Sequence, residues 1–198
     1  MPPAKETDAM ATSPENLPRR HKLTVTDYYR LAAAGSLREN DRVELLDGEI
    51  IDMTPIGSKH AAKVGYLTQL LMKAVGDRAL VWTQNPARLG IYSEPQPDLM
   101  LLRPKTDFYA SGHPVPEDIL LIVEVADTSL KYDRDTKIPL YARHGIREVW
   151  LVDIDNERLA IYRQPGPEGY GAVSEPASPE RTSLVMLPDL YVDLGDLF

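Results

Sequence analysis

Two acidic residues sit where their neighbours give a carboxylate no ordinary reason to be. Glu124 lies inside ILLIVEVA, a run so apolar and β-branched that it reads as a strand buried on both faces. Asp98 follows Pro97 at the head of PDLMLL, a second strand-like run. An unpaired buried carboxylate is expensive, so such a residue neutralises, pairs with a cation or binds a metal ion. Two carboxylates on neighbouring strands can converge on one divalent ion. Mg²⁺ takes one or two protein carboxylates and fills its other positions with water and phosphate oxygens. That chemistry suits phosphodiester hydrolysis, in which the ion activates water and stabilises charge on the transition state. A nearby lysine then orients the water and holds the scissile phosphate. The structural alternative is plain: Pro-Asp is a common dipeptide, and a lone strand Glu often pairs with an Arg or Lys across the sheet.

Periodicity and turn chemistry predict the elements that must carry these residues. Residues 1–20 are rich in Pro, Ser, Ala and charge without periodicity, and read as a disordered N-terminal tail. Thr26 is the expected N-cap of a short helix, TDYYRLAAAG, ended by Gly35. In RVELLDGEIIDM, two apolar-rich runs flank Asp47-Gly48, the strongest short hairpin signal, because both turn positions need positive φ. Val64, Leu67, Leu70, Leu71 and Val75 recur at helical spacing in the next stretch, with Ser58 as candidate N-cap.

Strands are expected over ALVWTQ, ARLGIYS, PDLMLL, ILLIVEVA and EVWLVD, with RPKTDFYASGHPVPED as a surface loop. DTSLKYDRDTKIPLYARHG reads as a turn and then a helix ending at Gly145, and RLAIYRQ with YGAVSE as a hairpin. This order gives an α/β (α+β) fold with a central mixed β-sheet flanked by helices, as one domain over residues 21–198.

Bulk properties narrow the class. A chain of 198 residues, 43% hydrophobic and 26% charged, is an ordinary globular domain able to bury a real core. The absence of cysteine excludes disulfides and thiolate metal sites. No apolar run reaches the ~20 residues needed to cross a bilayer, and the N-terminus carries no apolar signal core, so a cytoplasmic location is expected. The net charge of −8 counts against a nucleic-acid partner, whose usual footprint is basic, although it says little about local patches.

Pro97-Asp98, an intervening stretch and an apolar strand holding Glu124 resemble the PD-(D/E)XK nuclease superfamily. The run EVADTSLKYDRDTKIPLYARHGIREVWLVD is more specifically similar to the Uma-two family of proposed restriction endonucleases, through Glu124-Val125, Thr128-Ser129, Asp133-Arg134, Lys137, Tyr141-Ala142, Gly145 and Glu148 to Asp153. Upstream, VELLDGEIIDM followed by Ser58 and His60 matches as well, so the similarity spans roughly residues 21 to 195. The resemblance implies a restriction-endonuclease-like core and a Mg²⁺ (or Mn²⁺) site. The superfamily's lysine stands two residues beyond its Glu, where this chain has Ala126. The resemblance therefore implies that the lysine has moved to the following helix, as Lys137, with Lys131 as fallback.

The resemblance also places an acidic residue, Glu44, near the metal beside Asp98 and Glu124. The structural alternative for Glu44 is a salt bridge with Arg42 or another cation. His60 is either a contact to phosphate or metal, or a capping or surface residue. Tyr141 is expected to pack with its hydroxyl at the site edge.

Two functions from different classes follow: a metal-dependent endonuclease acting on DNA, and a nuclease-fold binding or scaffold protein without turnover. A metal enzyme acting on a smaller phosphate ester also fits. A homodimer is expected, because cutting two strands takes two sites or two visits, and because the apolar SLVMLPDLYVDLGDLF offers surface beyond the needs of a small core.

Overall fold

The computed structural model describes residues 20–38, 40–176 and 181–198. The expected tail over residues 1–20 lies outside the described residues apart from Arg20. Helix α1 (Val25–Ala33) starts two residues earlier than the sequence suggests: Thr24, not Thr26, is its N-cap. Thr24 and Asp27 satisfy each other's backbone N–H groups in a capping box, which no arrangement from Thr26 provides here. Strands β1 (Val43–Leu46) and β2 (Glu49–Asp52) form the expected hairpin, with Asp47 and Gly48 both at positive φ. Helix α2 (Ser58–Val75) follows, and its N-cap is Gly57, so Ser58 is the first helical residue instead of the cap.

A six-stranded sheet fills the centre in the order β3-β4-β5-β6-β7-β8. Its members are β3 (Leu80–Thr83), β4 (Leu99–Leu102), β5 (Ile119–Ala126), β6 (Glu148–Asp153), β7 (Arg158–Gly166) and β8 (Gly169–Ser174). Only β5 and β6 pair in parallel; every other neighbour pair is antiparallel. The crossover between the parallel pair is one helical segment made of α3 (Leu130–Tyr132), a π-helical turn (Asp133–Lys137) and α4 (Ile138–Arg143). Strands β9 (Arg181–Leu184) and β10 (Leu187–Asp193) form a separate ribbon. The mixed sheet with flanking helices is the architecture the sequence implies. Among the described residues no helix is long and apolar enough to cross a membrane.

The expected strand ARLGIYS does not form. Ala87 and Leu89 are buried as alternation predicts, but Leu89 N–H bonds the Ser93 carbonyl at 3.1 Å and Ala87 N–H that of Pro95 at 2.9 Å. The chain folds back on itself around Gly90, where an added Cβ would stand 3.2 Å from the His144 ring. The period-2 pattern therefore comes from a tight loop, not from a ladder.

Strand alternation divides the core into two layers. Leu121, Val123 and Val125 of β5 pack against α2 (Leu67, Leu71) and the β9–β10 ribbon. Ile122 and Ala126 pack on the opposite face with Leu46 of β1 and with Leu140 and Tyr141 of α4. Leu184, Leu190, Val192, Leu194 and Leu197 are buried in the first layer. The leucines of the apolar C-terminal segment thus serve the protein's own core, while Val185, Tyr191 and Phe198 remain exposed.

Glu148, wholly buried, ties that ribbon to the sheet. Its carboxylate accepts from Arg163 (3.1 and 2.7 Å), from Trp150 Nε1 (3.0 Å) and from Val185 N–H (2.7 Å). Glu148→Ala is expected to leave the Val185 amide without a partner and Arg163 with only its Thr182 and Ser183 contacts, and to cost about 3 kcal/mol, read as a lowered urea midpoint. A midpoint equal to wild type would show that the ribbon is held without the carboxylate.

Candidate active site

The same alternation aims the acidic residues. Glu124 shares its face of β5 with Ile122 and Ala126, the layer beneath the helical segment. Asp98 directly precedes Leu99 and has the parity of Met100 and Leu102, which lie in that layer too. Glu44 has the parity of Leu46 on β1. Asp98, Glu124 and Glu44 therefore reach one cavity of about 270 Å³, lined also by His60, Gln96, Ser129, Asp133 and Lys137. That volume suits a phosphodiester group with a few waters, at ~30 Å³ per water.

Lys137 lies at the centre. Its side chain is only 5% exposed, and Nζ stands 3.0 Å from Glu124 Oε1 and 3.3 Å from Glu44 Oε2. The π-helical turn, with its extra residue per turn, is where both Lys137 and Asp133 are buried instead of projecting to solvent. Burial pulls the ammonium's pKa down, but Glu124, Glu44, Asp133 and Asp98 together outweigh it and hold it above the ordinary lysine range. Lys131, by contrast, is exposed and pairs with Asp135 at 2.5 Å, away from the cavity lining.

Each carboxylate is held by one oxygen. Tyr141 is fully buried and donates its hydroxyl to Glu124 Oε1. Asp98 Oδ2 accepts from the Val125 N–H at 2.9 Å and meets His60 Nε2 at 3.0 Å. Among the described residues Glu124 Oε2 and Asp98 Oδ1 take no hydrogen bond. Glu44 Oε2 accepts from the Gln96 N–H at 3.1 Å as well as pairing with Lys137. Burial, opposed by Lys137 and reinforced by Asp133 and Asp98, pushes the Glu124 carboxyl up to about 8. The hydrogen bond to Asp98 raises the His60 pKa above its usual value, against a smaller pull from burial.

A hard divalent cation fits this donor set in part. Two carboxylates with free oxygens line one cavity, and four buried or half-buried acids (Glu44, Asp98, Glu124, Asp133) face a single lysine. Among the described residues no group of three His, Asp or Glu side chains stands close enough to hold an ion. Lys137 bridges Glu44 and Glu124 and supplies both with a counter-charge.

Two further residues belong to the site. Asp133 is buried against Ser129 Oγ at 2.5 Å, and its signal in the sequence is the Ser-to-Asp spacing of four on a helix. Gln96 contributes through its backbone N–H, which leaves no trace in residue type.

The family model described as "Putative restriction endonuclease", Uma2, matches residues 25–195. No curated protein matches the chain. A crystal structure of "a putative nuclease belonging to DUF820" from Anabaena variabilis superposes with a TM-score of 0.65 at 19% identity, covering 89% of this chain and 97% of that one. At that identity the likeness establishes a common fold.

Lys137→Ala leaves Glu124 and Glu44 buried around a missing cation. The expected loss is about 3–5 kcal/mol of stability in metal-free buffer, measured by urea denaturation. Unchanged stability would mean that the carboxylates accommodate the loss by taking up protons.

Proposed function

This chain belongs to the Uma2 family, and from that premise we propose that it is a metal-dependent endonuclease hydrolysing DNA phosphodiester bonds. The observation that carries the reading is the convergence of Asp98, Glu124 and Lys137 on one cavity, with one carboxylate oxygen of each acid left free. In this reading Asp98 and Glu124 hold Mg²⁺ or Mn²⁺, water and substrate phosphate oxygens complete its shell, and Glu44 anchors the lysine. The ion, when bound, supplies Lewis-acid stabilisation of charge on the scissile phosphate.

The protein's own groups do the positioning. The Tyr141 hydroxyl holds one oxygen of Glu124 and leaves the other turned to the cavity. The Val125 amide and His60 do the same for Asp98. Lys137 presents a fixed positive charge beside both acids, suited to hold the attacking water and a non-bridging phosphate oxygen as charge develops. Its anchoring by Glu44 removes the cost of ordering a long side chain during the reaction.

A second reading, a nuclease-fold protein that binds without turnover, draws on the absence of a three-ligand cluster among the described residues and on the net charge of −8. A plasmid cleavage assay across Mg²⁺ and Mn²⁺ separates the two. The endonuclease reading expects nicking or linearisation by wild type and none by Asp98→Ala or Glu124→Ala. Intact plasmid with wild type under both metals would leave the binding protein as the account. The endonuclease reading also expects millimolar Mg²⁺ or Mn²⁺ to raise the wild-type Tm by mass action, an effect absent from the Asp98→Ala, Glu124→Ala double variant. Cleavage of both strands favours a two-fold pair of sites. Light scattering reads that directly, and a monomer would restrict the activity to nicking or successive visits.

A further inference from the structure

A groove runs from the catalytic cavity along the exposed side of α2 to the end of β3, lined by Ile56, Gly65, Gln69, Met72, Lys73 and Gln84 among others. It meets the cavity at Ile56, which lines both. Whatever lies in the groove therefore passes the mouth of the cavity.

Two residues in it are explained by nothing inside the molecule. Gly65 occupies the interior of the eighteen-residue helix α2, where glycine costs about 1 kcal/mol relative to alanine. A Cβ added there would meet no atom within 4 Å. No internal packing requires the glycine, so its effect is to keep the groove floor low for the close approach of another molecule. Gln84 takes φ +48, a left-handed backbone that long side chains rarely adopt. Outliers of that kind cluster at ligand sites.

The groove's chemistry suits a polyanion with apolar faces. Ile56 and Met72 are exposed apolar side chains, 40% and 59% accessible. Gln69 and Gln84 offer amides beside them, and Lys73 forms no ion pair among the described residues. Its ammonium gives the groove a positive charge that a phosphate can meet. From Ala61 to Lys73 the helix runs about 18 Å at 1.5 Å per residue, room for about five nucleotides at the ~3.4 Å spacing of one strand.

We propose that this groove is the track for the nucleic-acid strand flanking the scissile phosphate, with Gly65 admitting its backbone, Lys73 neutralising a phosphate and the apolar side chains meeting sugars and bases. The proposal rests on the endonuclease reading for the site at its inner end. Its test measures binding, so that the two can fail separately. Fluorescein-labelled single-stranded DNA, as a dinucleotide and as a strand of about twelve nucleotides, is titrated by anisotropy in calcium buffer, with a gel confirming that the probe stays whole.

Wild type is expected to bind the longer strand more tightly than the dinucleotide. Gly65→Leu fills the floor and is expected to weaken the longer strand about tenfold, erasing the gain from length. Its Tm should hold or rise, because leucine is the better helix former. Lys73→Ala is expected to lower the slope of log affinity against log salt by about one. If wild type gains nothing from length, or both variants hold the longer strand as wild type does, the groove is not a nucleic-acid track. Displacement of the DNA by an apolar peptide from wild type but not from Gly65→Leu, without the salt effect of Lys73, would make it a peptide groove and overturn the proposal. If the groove-dependent gain is present but plasmid stays intact under Mg²⁺ and Mn²⁺, the endonuclease reading falls and the track stands.

Discussion

A protonated lysine held out of water between two carboxylates is the interaction on which the site depends. Burial pulls the Lys137 pKa down and the Glu124 pKa up, and the pairing between them opposes both. Each group is tolerable only because the others stand within about 3 Å of it, at 3.0 Å for Glu124 and 3.3 Å for Glu44. The ion pair therefore demands that a hairpin strand, a central strand and a crossover helix meet with little slack. Its geometry is shared by three elements that no local sequence preference brings together.

The sheet provides that accuracy through alternation. From Leu121 to Ala126 the even-numbered positions of β5 face the helical segment and the odd-numbered ones face α2, so a slip of one residue would send Glu124 into the opposite apolar layer. Opposite layers carry opposite duties. Glu148, on the α2 side of β6, is saturated by Arg163, Trp150 and the Val185 amide and fastens the terminal ribbon. Glu124, on the other side, keeps an oxygen free. A buried carboxylate with all its partners is a fastener, whereas one with an unbonded oxygen beside a cavity can take a further ligand.

Charge is distributed in the same divided way. The whole chain is acidic, yet its proposed substrate is more acidic still. Locally the picture differs: a cavity whose acids call for a cation, a lysine fixed among them, and Lys73 along the adjoining groove. Net charge describes the field at a distance, while the groove and cavity act within a Debye length of ~10 Å.

Wherever the signal is local, the residues themselves specify the elements and single out the candidate groups. Asp47-Gly48 specifies the hairpin because few residues accept positive φ, and ILLIVEVA specifies a buried strand in which a glutamate is anomalous. Family spacing singled out Lys137. Local reading erred where a partner distant in sequence decides. The loop over 87–93 mimics a strand because Ala87 and Leu89 turn inward, while its backbone closes on Ser93 and Pro95. The C-terminal leucines look like spare surface until α2 and β5 are seen to cover them. Caps shifted to Thr24 and Gly57, since a cap depends on which N–H groups the entering chain can reach. Packing alone brings Glu44 to Lys137 and adds Asp133 and the Gln96 amide to the cavity. Composition and periodicity say which side chains must leave water; only the packed fold says which charges they then meet.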